Sequence, residues 1–270
     1  VGALRLLADR AGVELTNNRS SQNKNKQDIY SALEAAANFF QASFKVSTAA
    51  QHFVTRRGIN DDEVARFRIG YAPDDWRRLH EALGDKFGDQ ILLEAGLVKQ
   101  KNNATYDVFR DRVMFPIRDI AGRVVGFSGR RLDGEKAAKY LNSPESSVFK
   151  KSQILYGLYE GRNEIRNLDF VLLVEGQIDL VMAHQVGSRN TVATSGTAFT
   201  AGHLNVIKRY TENILLAFDP DSAGIKASVK VAEAAYRNGM VVKSIELPTD
   251  KDPADVINND PNSWTELIKE

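Results

Sequence analysis

The sequence contains no cysteine among its 270 residues. This absence excludes thiolate catalysis, a disulfide framework and any zinc or iron–sulfur site built on cysteine ligands. No apolar run approaches the roughly 18 residues of a membrane-spanning helix. The first residues have neither the charge order nor the length of a secretory signal. We therefore expect a soluble, cytoplasmic protein without a membrane anchor.

An excess of charge of one sign is also missing, because 36 Lys and Arg stand against 35 Asp and Glu. This balance argues against a uniformly basic protein that coats nucleic acid. It conceals a gradient, however. Residues 99–151 carry twelve basic and six acidic residues, whereas residues 160–270 carry eleven basic and sixteen acidic residues. We interpret this gradient as a basic groove that faces an acidic rim.

The first half of the chain has the pattern of an α+β subdomain. A short helix over residues 3–15 and a polar linker over residues 16–28 are predicted to precede it. From residue 29 onward, apolar residues recur at helical spacing, and two short helices are predicted over residues 76–83 and 90–95. Two apolar runs around an Ala-Gly turn, between residues 106 and 132, predict an antiparallel hairpin. We assign residues 29–166 to this subdomain.

The second half alternates four short apolar strands with helices of about 10 to 15 residues, which is typical of parallel βαβ units. We assign residues 167–250 to this parallel sheet and residues 251–270 to the start of a helical subdomain. The predicted fold class is therefore α/β, or α+β over the whole chain. Because the chain begins with Val and ends inside a predicted helix, we expect it to be a segment of a longer protein.

Acidic residues follow three of the four predicted strands. Glu175 ends the first strand and precedes Asp179 by four residues, Asp219 ends the third strand and precedes Asp221, and Asp252 follows the fourth. Ligands of open parallel sheets bind at the carboxyl ends of the strands, so these side chains are expected at one rim. Like charges at close range need a neutralising cation. Oxygen ligands favour Mg²⁺ or Mn²⁺ over zinc.

Acidic residues at strand ends also occur where no such metal site exists. A single aspartate there is commonly a turn residue or a helix N-cap. The segment FDPDSAGIKASVK begins like an EF-hand loop, but it has Ala223 at position five and Lys230 at position twelve, where a glutamate is needed. It also resembles the nucleophile turn of haloacid-dehalogenase-type phosphatases, although Ala223 replaces the expected Thr or Val and Glu175 stays unexplained. No P-loop motif is present.

The motifs LLVEGQIDLV, FDPDSAG and DKDPADVI resemble the Toprim domain of topoisomerases, primases and related nucleases. Together with YDVFRDRVMFPIRDIAGRVVGFSGR, KYLNSPESSVFKKSQILYGL and ATSGTA, they resemble the RNA polymerase domain of DnaG-type bacterial primases from about residue 29 to residue 257. The resemblance implies template-directed synthesis of short RNA primers on single-stranded DNA during replication. It also implies that the zinc domain, the helicase-binding domain and most of the closing helical bundle lie outside this segment.

The resemblance implies a two-metal site with Mg²⁺ or Mn²⁺ and no zinc. Glu175 and Asp219 would hold the ion at the 3′-hydroxyl, and Asp219 and Asp221 would hold the ion on the triphosphate. Asp252 would support the second ion and Asp179 would lie close by, all five being catalytic residues. The family's Asp-Pro-Asp is here Asp252-Pro253-Ala254-Asp255, so its last acid is displaced. The residues expected to bind nucleic acid or nucleotide are Arg110, Arg112, Arg130, Lys139, Asn142 and Lys151.

The expected partners are a single-stranded DNA template, nucleoside triphosphates and the nascent RNA primer. A replicative helicase would bind through a domain outside this chain, and the core would be monomeric. Two alternatives stay open. One is a DNA-cleaving Toprim nuclease or topoisomerase-like enzyme, and the other is a non-catalytic fragment that binds DNA or nucleotides such as alarmones.

Overall fold

The structure is a computed structural model that describes residues 18–102, 104–132, 138–196 and 198–269. The helix predicted over residues 3–15 lies outside these ranges. Helix α1 spans Asn18–Val46 and buries one face, which includes Ile29, Leu33 and Phe40. The linker predicted over residues 16–28 is wrong from Asn18 onward. A helix nucleated on a buried face continues through polar residues because each further residue adds a backbone hydrogen bond.

Three further helices follow in the first half of the chain. They are α2 (Thr48–Arg56), α3 (Asp61–Arg66) and α4 (Arg78–Glu94). Helix α3 begins at an N-cap, since the Asn60 side chain accepts a hydrogen bond from the Glu63 N–H at 2.9 Å. The two short helices predicted at residues 76–95 are joined in α4, and Gly88 (φ 74°) makes a kink between them.

An antiparallel sheet forms the centre of the first half, in the strand order β1-β4-β5-β6. Its strands are β1 (Gly70–Ala72), β4 (Arg112–Arg118), β5 (Val124–Arg131) and β6 (Tyr140–Asn142). Strands β2 (Val98–Lys101) and β3 (Ala104–Asp107) form a separate two-stranded sheet. The predicted hairpin is the pair β4 and β5. A 3₁₀ helix, Lys151–Gln153, follows the sheet.

The second half forms a parallel sheet with the strand order β10-β9-β7-β8, which confirms the predicted fold class. Its strands are β7 (Val171–Val174), β8 (Thr191–Ala193), β9 (Asn213–Leu216) and β10 (Val241–Ser244). Its helices are α5 (Leu158–Leu168), α6 (Gln177–Gln185), α7 (Ala201–Ile207), α8 (Ser222–Tyr236), α9 (Pro253–Asn259) and α10 (Pro261–Lys269). Within the described ranges, no helix has the length and apolar content needed to cross a membrane.

The central strand β7 is buried on both faces. Leu172 and Val174 belong to the core formed with α6, α9 and α10, whereas Val171 and Leu173 belong to the core formed with α5, α7 and α8. This alternation follows from the two-residue period of a strand. Because β7 pairs directly with β9, the residues that follow these two strands lie side by side at one edge of the sheet.

Candidate active site

An open cleft of about 600 Å³ lies at the carboxyl edge of the parallel sheet. Four of the five predicted catalytic residues line it: Glu175, Asp179, Asp219 and Asp252. Asp221 lies at the same edge, at the start of α8. The sheet topology thus brings the sequence-predicted acids to one place.

Glu175 and Asp219 form the centre of the acidic group. Burial, followed by the charges of Asp219 and Asp221, raises the pKa of Glu175. Burial, followed by the charges of Asp252 and Asp221, likewise raises the pKa of Asp219. Glu175 Oε1 and Asp219 Oδ1 are both buried without a hydrogen-bond partner among the described residues. Buried oxygens of this kind are costly unless a cation pairs with them.

A glycine allows the close approach of these elements. A Cβ atom on Gly224 would lie 2.1 Å from the backbone oxygen of Asp219 and 2.9 Å from Glu175 Oε1. The first contact is with backbone, which cannot rotate away as a flexible side chain can. Glycine at position 224 therefore permits the first turn of α8 to pack directly against both acidic residues.

Asp179 stabilises the turn that carries Glu175. Its carboxylate accepts a hydrogen bond from the Gly176 N–H at 3.2 Å and one from the Ala254 N–H, so it joins the start of α6 to the start of α9. Burial, together with the charges of Asp252 and Asp219, raises the pKa of Asp179 to about 7. These contacts suit a residue that holds the turn after Glu175 in place.

Asp221 and Asp252 both cap helices, as strand-end aspartates commonly do. Asp221 Oδ1 accepts hydrogen bonds from the N–H groups of Ala223 (2.8 Å) and Gly224 (2.7 Å). Asp252 Oδ1 accepts one from the Asp255 N–H at 2.7 Å. The second oxygen of each carboxylate makes no hydrogen bond with a described residue, so capping leaves it available to a cation.

The donor chemistry of this edge fits a hard divalent cation, since its acidic residues offer carboxylate oxygens and two of these oxygens lack partners among the described residues. Among the described residues, however, no three acidic or histidine side chains are close enough to form a complete metal site. The predicted set of four ligands is therefore not gathered into a cage. Glu175 and Asp219 are the pair that the structure brings together.

Basic side chains line the same cleft. Lys139 lies close enough to Asp219 to act against the rise of its pKa. The Arg130 guanidinium donates to the Tyr140 hydroxyl at 2.8 Å and lies over the rings of Tyr140 and Phe53 at 5.2 and 5.3 Å. Both predicted residues, Arg130 and Lys139, thus lie where a phosphate could reach them.

The other predicted nucleic-acid residues lie outside this cleft. Asn142 and Lys151 line a neighbouring cavity of about 10 Å³, and Asn142 Nδ2 donates to the Ser195 carbonyl at 2.8 Å. Arg110 stacks on the ring of Trp76 at 3.9 Å. The Arg112 guanidinium is buried and donates to the carbonyls of Gly129 (3.0 Å), Ala138 (3.0 Å) and Lys139 (3.3 Å).

Three cleft cations were missed in the sequence. Arg57 follows α2, and Lys226 and Lys230 lie on α8. Both lysines are exposed and make no ion pair with a described residue. A signal for them exists, because residues 223, 226, 227 and 230 have the spacing of one helix face, directly after the acidic turn. No comparable signal exists for Arg57, which a separate helix brings to the cleft.

The chain is similar to known proteins over most of its length. The family described as the DNA primase catalytic core, N-terminal domain, matches residues 39–162, and the Toprim-like family matches residues 172–257. The DNA primase of Clostridium acetobutylicum is 39% identical over 276 residues, an alignment that covers 100% of this chain and 46% of that protein. The chain therefore spans less than half the length of this relative.

Solved structures are also similar. A DNA primase domain from Pseudomonas aeruginosa has a TM-score of 0.85 and 39% identity, covering 90% of this chain and 78% of that one. A DnaG primase catalytic domain bound to single-stranded DNA has a TM-score of 0.84 and 35% identity, covering 92% of this chain and 80% of that one.

Proposed function

The chain belongs to the family of bacterial DnaG primases, as a catalytic core with a Toprim domain, and we propose that it synthesises short RNA primers. The substrates are nucleoside triphosphates, and the template is single-stranded DNA. The observation that carries this proposal is the pair of buried Glu175 and Asp219 oxygens without a partner among the described residues, in a cleft that is also lined by basic side chains. The reaction serves DNA replication, which places the protein in the cytoplasm.

A Toprim domain implies that the chain binds divalent metal. We assign Mg²⁺ or Mn²⁺ to the site, with Glu175 and Asp219 as the central ligands and the free oxygens of Asp221 and Asp252 as further ones. When bound, two such ions would activate the primer 3′-hydroxyl and neutralise the charge on the triphosphate. Zinc is not expected, since these donors are all oxygens.

The protein's own cations bind the remaining phosphate charge. Lys139, Lys226 and Lys230 line the cleft and would contact the triphosphate or the template backbone. Arg130 is held by Tyr140, so its guanidinium is already oriented when a phosphate arrives. Asn142, fixed on the Ser195 carbonyl, would align the loop that borders the cleft.

The proposed partners follow from this reaction. The template, the triphosphates and the nascent primer occupy the cleft, and the core acts as a monomer. A solved relative is described as bound to single-stranded DNA, which supports the choice of template. We also propose that the longer protein meets the replicative helicase through a region that this chain does not include.

The first test is ribonucleotide incorporation on single-stranded DNA with Mg²⁺ or Mn²⁺, compared between the wild type and Asp219→Asn. The carboxamide keeps the shape of the side chain but removes its charge, so activity should fall at least about hundredfold. Mn²⁺ binding, measured by electron paramagnetic resonance, should weaken in parallel.

Asp250→Asn is the matched control. Asp250 is an exposed aspartate with φ 60°, a conformation that asparagine also tolerates, so this variant should retain activity and metal binding. Full activity of Asp219→Asn would exclude the metal assignment. A wild-type protein that binds Mn²⁺ and template but incorporates no ribonucleotide would exclude the proposed function.

A further inference from the structure

A second cleft, of about 450 Å³, lies between the two halves of the chain. Tyr30 of α1 and Arg118 at the end of β4 line one side, and Arg209 and Tyr210, which follow α7, line the other. None of the residues that line this cleft lines the acidic cleft. We propose that this second cleft binds a nucleotide unit, with its base on the apolar floor and its phosphate at Lys150 and Arg209.

The floor of the second cleft is apolar and partly aromatic. Leu155 and Leu158 are buried beneath it, and the rings of Tyr30 and Tyr210 are half-exposed at its sides. The volume falls within the usual range for small-molecule sites. Every nucleobase has a flat π-face that stacks on such rings without regard to sequence.

The side chains of the second cleft that form no ion pair within the described ranges carry a net positive charge. Arg118 forms an ion pair with Glu160, and Asp119 forms one with Arg123, so these charges cancel locally. Lys150 and Arg209 are exposed, and neither side chain makes an ion pair or a hydrogen bond with a described residue. Two free cations beside an apolar floor complement a phosphate attached to a planar base.

Stacked arginines extend this surface beyond the cleft. The Arg123 guanidinium lies 4.1 Å from the centroid of the Tyr30 ring, and Arg166 lies 4.7 Å from that of Tyr210. Guanidinium groups and nucleobases use the same aromatic faces. A guanidinium covers one face of each ring, and a base would stack on the other face, whereas a peptide carboxylate would use the cations alone.

The nucleotide has two possible sources, a free mononucleotide or one unit of a single strand. Two probes separate them: 5-iodouridine monophosphate, and an oligodeoxynucleotide that carries one 5-iodouracil. Irradiation of the bound probe joins the uracil to an aromatic side chain in contact with it, and mass spectrometry then identifies the modified peptide. The experiment uses Asp219→Asn protein in EDTA, so that metal-dependent binding in the acidic cleft does not contribute.

The expected result is a cross-link to Tyr30 or Tyr210 with at least one probe. A cross-link from the oligonucleotide identifies a strand, and a cross-link from the monophosphate alone identifies a free nucleotide. The double variant Lys150→Glu, Arg209→Glu should weaken binding of the cross-linking probe about tenfold or more. For the oligonucleotide, the log–log slope against salt should flatten by about 0.7, since the two side chains share one phosphate and each single-strand phosphate contributes about 0.7.

The double variant Arg237→Glu, Lys243→Glu is the matched control, because both side chains are exposed and absent from both clefts. It tests whether reversal of any surface charge has the same effect, and it should leave cross-linking unchanged. The proposal is overturned if neither probe cross-links to Tyr30 or Tyr210. It is also overturned if the Lys150→Glu, Arg209→Glu variant and the Arg237→Glu, Lys243→Glu control bind both probes equally.

Discussion

The acidic edge of the parallel sheet and the basic region around the β4–β5 hairpin differ in how their predicted residues are used. At the acidic edge, four of five predicted acids line one cleft. Of the six predicted nucleic-acid residues, only Arg130 and Lys139 line it. Parallel strands deliver their carboxyl ends to one edge, so position along the chain predicts position in space. A run of basic residues has no such constraint.

The two regions also differ in how many of their charged groups already have hydrogen-bond partners within the protein. Glu175 and Asp219 each retain a buried oxygen without a partner among the described residues. The Arg112 guanidinium, by contrast, donates hydrogen bonds to three backbone carbonyls. A charged side chain counted in a sequence is therefore available for binding only if the fold has not already used it. This contrast can be tested residue by residue.

The largest effect is expected at Arg112, on stability. Arg112→Met keeps much of the side-chain volume but leaves carbonyls of Gly129, Ala138 and Lys139 without their charged donor, in a largely buried place. The free energy of unfolding should fall by at least about 3 kcal/mol, because three bonds worth roughly 1.5–3 kcal/mol each are lost and removal of the buried charge offsets only part of that sum. Urea denaturation followed by circular dichroism measures this difference.

Arg110→Met is the control for this prediction. Its guanidinium stacks on Trp76, which is 62% exposed, and donates to one carbonyl, that of Asp107, where Arg112 donates to three, so the loss should be smaller, about 1–2 kcal/mol. Equal stability losses in the two variants would show that the contrast between a buried and a surface arginine is wrong.

The second effect concerns the acidic edge and depends on pH. Burial and the neighbouring charges of Asp252 and Asp219 raise the pKa of Asp179 from 3.8 to about 7. Between these values the folded protein holds a proton that the unfolded chain releases. Its contribution to stability is thus complete below about pH 3.8 and is lost as the pH rises through about 7. The slope is at most about 1.4 kcal/mol per pH unit.

Asp179→Asn removes this titration. In EDTA, the stability of the variant relative to the wild type should therefore rise as the pH increases from about 5 to about 8. Part of this gain is offset at every pH, because the carboxamide replaces one acceptor of the Gly176 and Ala254 N–H groups. A difference between variant and wild type that stays constant with pH would contradict the assignment. Asp250→Asn, at an exposed position, should show no such trend.

The sequence predicted the parallel sheet and its acids because strand ends and helix starts carry local signals. Asn60, for example, marks the start of α3 both in the sequence and in the structure. Contacts between distant segments carry no such signal. The carbonyls that hold Arg112 lie 17 to 27 residues away along the chain. Their acceptors are backbone atoms, which every residue has, so no side-chain pattern identifies them.

The smallest expected effects are at Lys226 and Lys230. These two lysines test whether the position of a basic side chain in the cleft, rather than the total number of basic residues, determines DNA binding. Both side chains are exposed and unpaired among the described residues. Lys226→Ala and Lys230→Ala should each weaken binding of single-stranded DNA about threefold, and flatten its salt dependence by about 0.7 log–log unit. Fluorescence anisotropy at several salt concentrations measures both quantities. Lys243→Ala removes an equal charge outside the cleft, so it should leave the slope unchanged. A slope change of the same size in all three variants would mean that overall charge, not the position of α8 beside the acidic edge, determines template binding.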